Sequence, residues 1–231
     1  MKSKNRSLKL GIISVLLVVV ILELTGRLAL TVVMKYPFWQ PSKKFYPELA
    51  KIQSASVSQT DDTFDILILG GSAMSIEFGA SINKTLASLL NQPKNSLKAR
   101  IFNAATPAHT SLDNLNKYKL LAKQTFDLVI YYEAINETRA NNIPKESFFN
   151  DYRHIVWYYD LALIKQHPEV NWTVLPFIIH KSFNLLIDKL AGKKFLQLHT
   201  VNPDFVKFGN EIKTVKPYRR NVEQIVLEAQ R

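Results

Sequence analysis

The stretch Asp65-Ile66-Leu67-Ile68-Leu69-Gly70-Gly71-Ser72 constrains this chain more than any other. An apolar run that ends in two glycines and a hydroxyl reads as a buried parallel strand delivering Ser72 to its carboxyl end, where open α/β sheets place their ligands. Two later segments join a hydrophobic strand to a polar edge in the same way: Asn103 to Ser111, and Asp127-Leu128-Val129-Ile130-Tyr131-Tyr132-Glu133-Ala134-Ile135-Asn136-Glu137. Strands are expected over 65–69, 99–104 and 126–132, with helices near 81–90 and over 111–123. Alternation of this kind calls for parallel strands with crossover helices, hence an α/β fold built as a three-layer α/β/α sandwich. In the second helix Leu112, Leu115, Tyr118 or Lys119, and Ala122 recur at helical spacing and should face the sheet. Ser111, followed by Asn114, is the expected but imperfect N-cap.

The other strong constraint lies at the N-terminus. Lys2, Lys4, Arg6 and Lys9 precede Leu10 to Leu22, which holds no charged residue. A run of that length spans about 20 Å as a helix, short of a hydrocarbon core near 30 Å. Continuing to Val33 reaches membrane length but takes in Glu23 and Arg27, whose i, i+4 spacing lets them pair. No Ala-x-Ala-like site follows, so an uncleaved signal-anchor is favoured over a cleaved signal, with the N-terminus cytoplasmic and the bulk of the chain outside. Tyr36, Phe38 and Trp39 are expected as an aromatic belt. The net charge of +11 is spread over the N-terminal tail and the last third, and no nucleic-acid-binding motif accompanies it. The bilayer is therefore the expected partner, and nucleic acid is not. With no cysteine, disulfides and thiolate chemistry are excluded, and the five histidines (109, 154, 167, 180 and 199) show no metal-binding spacing, so no metal or other cofactor is expected.

These signals divide the chain into a tail and membrane anchor (1–34), a Pro-rich linker (35–63), and an α/β domain (64–231) with an aromatic, helical insertion at about 142–217. The insertion is expected to form a local core, or else an apolar lid or membrane-facing surface. Pro217 to Arg231 reads as a crossover helix, with Val222, Ile225, Val226 and Ala229 on one face.

The three polar edges, in this order, resemble the first three sequence blocks of the SGNH (GDSL-like) hydrolase family. Gly70-Gly71-Ser72 is similar to its Gly-Asp-Ser motif, and Asn103-Ala104-Ala105-Thr106-Pro107-Ala108-His109-Thr110-Ser111 to Asn-x-Gly-x-x-Gly-x-Thr-Ser with both glycines replaced by alanine. Ala134-Ile135-Asn136-Glu137 is similar to Gly-x-Asn-Asp or Gly-x-Asn-Glu. The resemblance implies a flavodoxin-like parallel sheet, with Ser72 as nucleophile and oxyanion N–H, Ala105 as a backbone oxyanion donor and Asn136 as the side-chain donor. The Ala105 role requires a φ below zero. His109 falls in the second block as a substrate-loop or surface histidine. The family's fourth element, Asp-x-x-His, is absent from the sequence given, which reads as truncated before it, as a divergent or inactive member, or as one whose base is an unexpected histidine. Two functions follow from the resemblance: a membrane-anchored, extracytoplasmic ester hydrolase or acyltransferase acting on ester-bearing lipid or glycan through Ser72, or a non-catalytic envelope binding or assembly module that keeps the fold. Without its histidine base, the chain as given is expected to show little esterase activity.

Overall fold

The computed structural model describes residues 2–55, 57, 63–78, 80–92, 98–192, 195 and 207–230. It divides into two compact units, Met1–Pro47 with Asp160–Lys194, and Glu48–Tyr159 with Phe195–Arg231. The first carries the long apolar helix; the second carries an α/β sheet.

In the second unit, β1 (Thr63–Gly70), β2 (Lys98–Asn103) and β3 (Leu128–Tyr132) form a parallel sheet in the order β2-β1-β3. Ile66 pairs with Ile101 on one side and Leu128 on the other, and Gly70 lies beside Tyr132 at the carboxyl edge. Residues 65–70 of β1, the central strand, are buried without alternation. On one face Ile66, Ile68, Ala99 and Ala105 form a core closed by Leu86 and Leu90 of α3 (Ala80–Leu90). β3 starts two residues later than the apolar run suggests because Asp127 closes the ladder with its side chain. Its carboxylate accepts the Asp65 N–H at 2.7 Å, and its own N–H donates to the Asp65 carbonyl at 2.9 Å. The buried Asp65 carboxylate is held in turn by Arg100, with both contacts at 2.5 Å.

Two expectations for α4 (Ser111–Leu120) are corrected. The N-cap is Thr110, not Ser111: its hydroxyl accepts from the Leu112 N–H at 3.2 Å while Asp113 accepts the Thr110 N–H at 3.0 Å, a reciprocal capping box. The buried face is largely polar, with Asp113, Asn114, Leu115 and Lys117 inside while Lys119 and Ala122 are exposed. Apolar periodicity misses such a face because its polar groups find partners in the fold.

In the segment expected as a linker over 35–63, the described residues up to Gln53 include packed structure, while 56 and 58–62 lie outside the described residues. In the second unit α2 (Leu49–Gln53) buries Leu49 and Ile52. In the first, Tyr36 is 1% exposed, so it belongs to a core and not to an aromatic belt. Its ring packs on Phe45 and Phe177, Lys44 lies 4.0 Å above it, and its hydroxyl donates to Asp160 at 3.3 Å. α5 (Glu137–Asn141) precedes the expected insertion and belongs to the second unit, and the insertion itself is divided: its residues up to Tyr159, with the start of α6 (Val156–Lys165), belong to the second unit, whereas the end of α6 and α7 (Leu175–Leu190) lie in the first; residues 193–194 and 196–206 lie outside the described residues. The last helix, α8 (Val215–Ala229), lies in the second unit and buries Pro217, Asn221 and Ile225.

The N-terminal helix α1 (Lys2–Met34) includes a stretch, Lys9–Met34, with a mean hydropathy of 2.3, long and apolar enough to cross a membrane. The expected Glu23–Arg27 pair forms at 2.7 Å. Arg27 is buried and also donates to the carbonyls of Phe38, Asn171 and Trp172, so its charge is satisfied within the first unit.

Candidate functional site

The chain passes from β1 to β2 on one side of the sheet and then to β3 on the other. The order reverses at β1, and a crevice opens outside the carboxyl ends of β1 and β3. That place is occupied by a cleft of about 510 Å³ lined by Gly71, Ser72, Tyr131, Glu133, Ile135 and Tyr218, among others.

Ser72 opens a single 3-10 turn, Ser72–Met74, directly after β1. The turn is fastened from both ends: the Ser75 hydroxyl donates to the Ser72 carbonyl at 3.0 Å, and Asn103 Nδ2 donates to the Met74 carbonyl at 2.7 Å. The two preceding glycines answer to close approach. A Cβ on Gly70 would stand 2.7 Å from the Tyr132 carbonyl oxygen, and one on Gly71 would stand 2.6 Å from Asn136 Nδ2 and 3.0 Å from Glu133 Cγ. The third block therefore lies against the residue that precedes Ser72.

Asn136 sits where β3 gives way to α5. Its Nδ2 donates to the His109 carbonyl at 2.9 Å, which leaves the second amide hydrogen for another acceptor. Glu137 holds the same loop one step on, accepting the Ser111 N–H at 2.6 Å and the Tyr152 hydroxyl. Asn221 of α8 donates to the Ser111 hydroxyl at 3.0 Å, and Tyr218 donates to the Glu133 carbonyl at 3.2 Å. The second and third blocks and the last helix are thus stitched into one polar wall.

Ala105 keeps a negative φ, yet its N–H is committed to Asn103 Oδ1 at 2.8 Å. In this arrangement it is not free to face an oxyanion. Ala108, a later alanine of this segment, takes φ 64°. His109 is not a surface residue: it is 4% exposed, its ring stacks on Trp157 at 5.6 Å, and its charge bears on Asp113. Asp113 is fully buried, which by itself raises its pKa, but His109, the Tyr158 hydroxyl, the Thr110 N–H and the Trp157 indole together hold it below the usual carboxylate range. His199 lies outside the described residues. Among those described, no cluster of three histidines or carboxylates could hold a metal ion.

Sequence reasoning passed over Glu133, which lines the cleft with Ser72. It is 7% exposed. Its Oε1 accepts the Asn136 N–H at 2.7 Å, while Oε2 makes no hydrogen bond of ordinary geometry, the Tyr131 hydroxyl being near it. Burial, reinforced by the charges of Glu137 and Asp113, pushes its pKa up to about 8. A carboxylate placed right after an apolar strand, at the sheet edge that carries ligands, was the available signal. No family model, curated protein or solved structure matches the chain.

Proposed function

We propose that this protein is an SGNH-type ester hydrolase or acyltransferase, anchored by α1 in a membrane, that uses Ser72 as its nucleophile. The observation that carries the reading is the contact between the third block and the nucleophile turn. Asn136 Nδ2 stands so close to Gly71 that no side chain fits there, which supports its serving as a neutral amide donor next to Ser72 and its N–H. Two such donors are what a tetrahedral oxyanion requires. The right-handed rule for parallel crossovers puts α3 and α4 on opposite faces of the sheet, which supports a three-layer, flavodoxin-like arrangement.

Serine needs a base, and the cleft offers one in Glu133. A carboxyl that titrates near neutrality accepts a proton far better than one at the ordinary value, although at pH 7 only about one molecule in ten would be ionised. The Ser72 hydroxyl would add to the ester carbonyl as its proton passes to Glu133, with the Ser72 N–H and Asn136 amide holding the oxyanion. Collapse would expel the alkoxide, which takes the proton back from Glu133, and leave acyl-Ser72. Water or an acceptor hydroxyl would then remove the acyl group. Ester-bearing lipid or glycan is the substrate class.

One observation favours the non-catalytic alternative: the Ala105 N–H, a donor in the family, is already engaged. The two separate cleanly. The purified full chain in detergent is treated with an aryl fluorophosphonate and mapped by mass spectrometry, beside Ser72→Ala and Asn136→Ala. An adduct on Ser72 that is lost in the first variant and slowed in the second is the expected result. Absence of any Ser72 adduct in the parent would favour the binding module.

A further inference from the structure

Helix α7 is built inside out. Counting 100° per residue, Ile179, Phe183, Leu186 and Leu190 fall within an arc of about 60°, and all four are exposed, from 56% for Leu186 to 79% for Leu190. The buried residues Phe177, Lys181 and Asp188 lie diametrically opposite, and two of those three are charged. Lys181 is held there by an ion pair with the buried Asp160. In water this is the reverse of what a surface helix does.

The same inversion continues in α1 beyond its uncharged run. Leu24, Leu28 and Val32 recur on one exposed face while Arg27 and Leu30 turn inward. The two helices meet at Gly26, where a Cβ would stand 2.7 Å from Ile178 and 3.3 Å from Val174, a close approach of the kind small residues permit. The first turn of α7 is fixed to the end of the uncharged run by hydrogen bonds: Glu23 accepts the Val174 N–H at 3.0 Å and the Thr173 hydroxyl at 2.9 Å. Trp39 and Trp172, 72% and 88% exposed, adjoin the carbonyls of Phe38 and Trp172 that Arg27 holds. Exposed tryptophans at that depth suit a headgroup layer.

We propose that α7 is a second lipid-contacting helix, whose Ile179–Phe183–Leu186–Leu190 stripe sits in the acyl region of the leaflet from which α1 emerges. Its 16 residues reach about 24 Å, short of the hydrocarbon core, so α7 does not cross the bilayer but lies within one leaflet. Continuity with α1 selects the occupant: a helix bonded at its first turn to the rim of a membrane span meets lipid before it meets any soluble partner. The inference rests on α1 being that span and is independent of any chemistry at Ser72.

The absence of cysteine makes the test direct. Single cysteines are placed in the full chain at Ile179, Phe183, Leu186 and Leu190, at Leu16 and Val20 of α1, and at Ser88 of α3. Each is spin-labelled and reconstituted in phosphatidylcholine–phosphatidylglycerol vesicles, and its collision rates with oxygen and with a nickel chelate are compared. The α7 stripe should match Leu16 and Val20, with oxygen collisions well above nickel collisions, and Ser88 should show the reverse. High nickel accessibility along α7 with α1 labels in lipid overturns the proposal and leaves the anchor standing. Low accessibility to both reagents along the stripe marks a protein contact, such as a second copy, and also overturns it. Aqueous α1 labels remove the anchor and the proposal together.

Discussion

Glu133 ties stability to the proposed chemistry at the level of one carboxyl. Its folded-state pKa of about 8 lies above the ordinary value of 4.5. Across that window the unfolded chain has released the proton while the folded protein retains it, so the folded state binds more protons and stability falls as pH rises. The stabilisation is complete below about 4.5 and gone above about 8. Glu133→Gln keeps the shape without the charge, and should raise the unfolding midpoint relative to the parent at pH 8 but not at pH 4.5. The gain is at most a few kcal/mol, since each tenfold change in proton affinity is worth ~1.4 kcal/mol. On the proposed mechanism the same variant loses ester turnover, and the parent's turnover rises with pH toward a plateau above about 8. Thermal melts at both pH values with a short-chain aryl ester assay check both halves; turnover retained by Glu133→Gln would remove it as the base. The alanines of the second block offer a finer comparison. Ala105→Gly and Ala108→Gly each delete a buried methyl and loosen the unfolded chain, but only Ala108, at φ 64°, is relieved of left-handed strain. Ala105→Gly should therefore cost more, by about 1–2 kcal/mol in chemical denaturation.

The loop between β2 and α4 shows why elements were easier to read than the bonds between them. The three strands and their crossover helices were legible because apolar runs and their punctuation are local. The polar face of α4 was not, because its partners are distant in sequence. Lys117 is fully buried, donating to the Ala104 carbonyl and the Thr106 hydroxyl at 2.6 Å each and pairing with Glu48 at 2.6 Å. Burial lowers its pKa, and Glu48 pulls the other way. Nothing near Lys117 in the chain announces Glu48, which falls in a stretch that reads as linker. Ser72 could be singled out because it ends an apolar strand, whereas Glu133 joins it in one cleft only when β3 lies beside β1. Lys117→Met should cost about 3 kcal/mol, since it strands Glu48 and two acceptors. Thr110→Ala, which removes only the cap of α4, should cost about 1 kcal/mol. Equal losses in urea titrations of the two variants would mean that the Lys117 cluster does not hold the loop.

On the proposed reading the whole molecule is organised by a membrane boundary, and the charges around α1 are the argument for its sense. Lys2, Lys4, Arg6 and Lys9 stand within eight residues of the uncharged run, whereas on the other side Arg27 and Lys35 follow it within twenty residues and Lys43 and Lys44 only just beyond, at the limit of the range over which flanking charge governs orientation. Arg27 is also fastened to Glu23 and to three carbonyls, so on the proposed reading it would stand where the chain leaves the bilayer. A periplasmic-type reporter such as alkaline phosphatase fused after Arg231 should be active, and a cytoplasm-dependent reporter at the same junction silent. Replacing the four leading basic residues with glutamine should move the population toward mixed orientation, because the remaining bias then favours the opposite sense. Activity of the cytoplasmic reporter alone in the parent would invert the topology, placing the Ser72 cleft on the cytoplasmic side and limiting its esters to those found there.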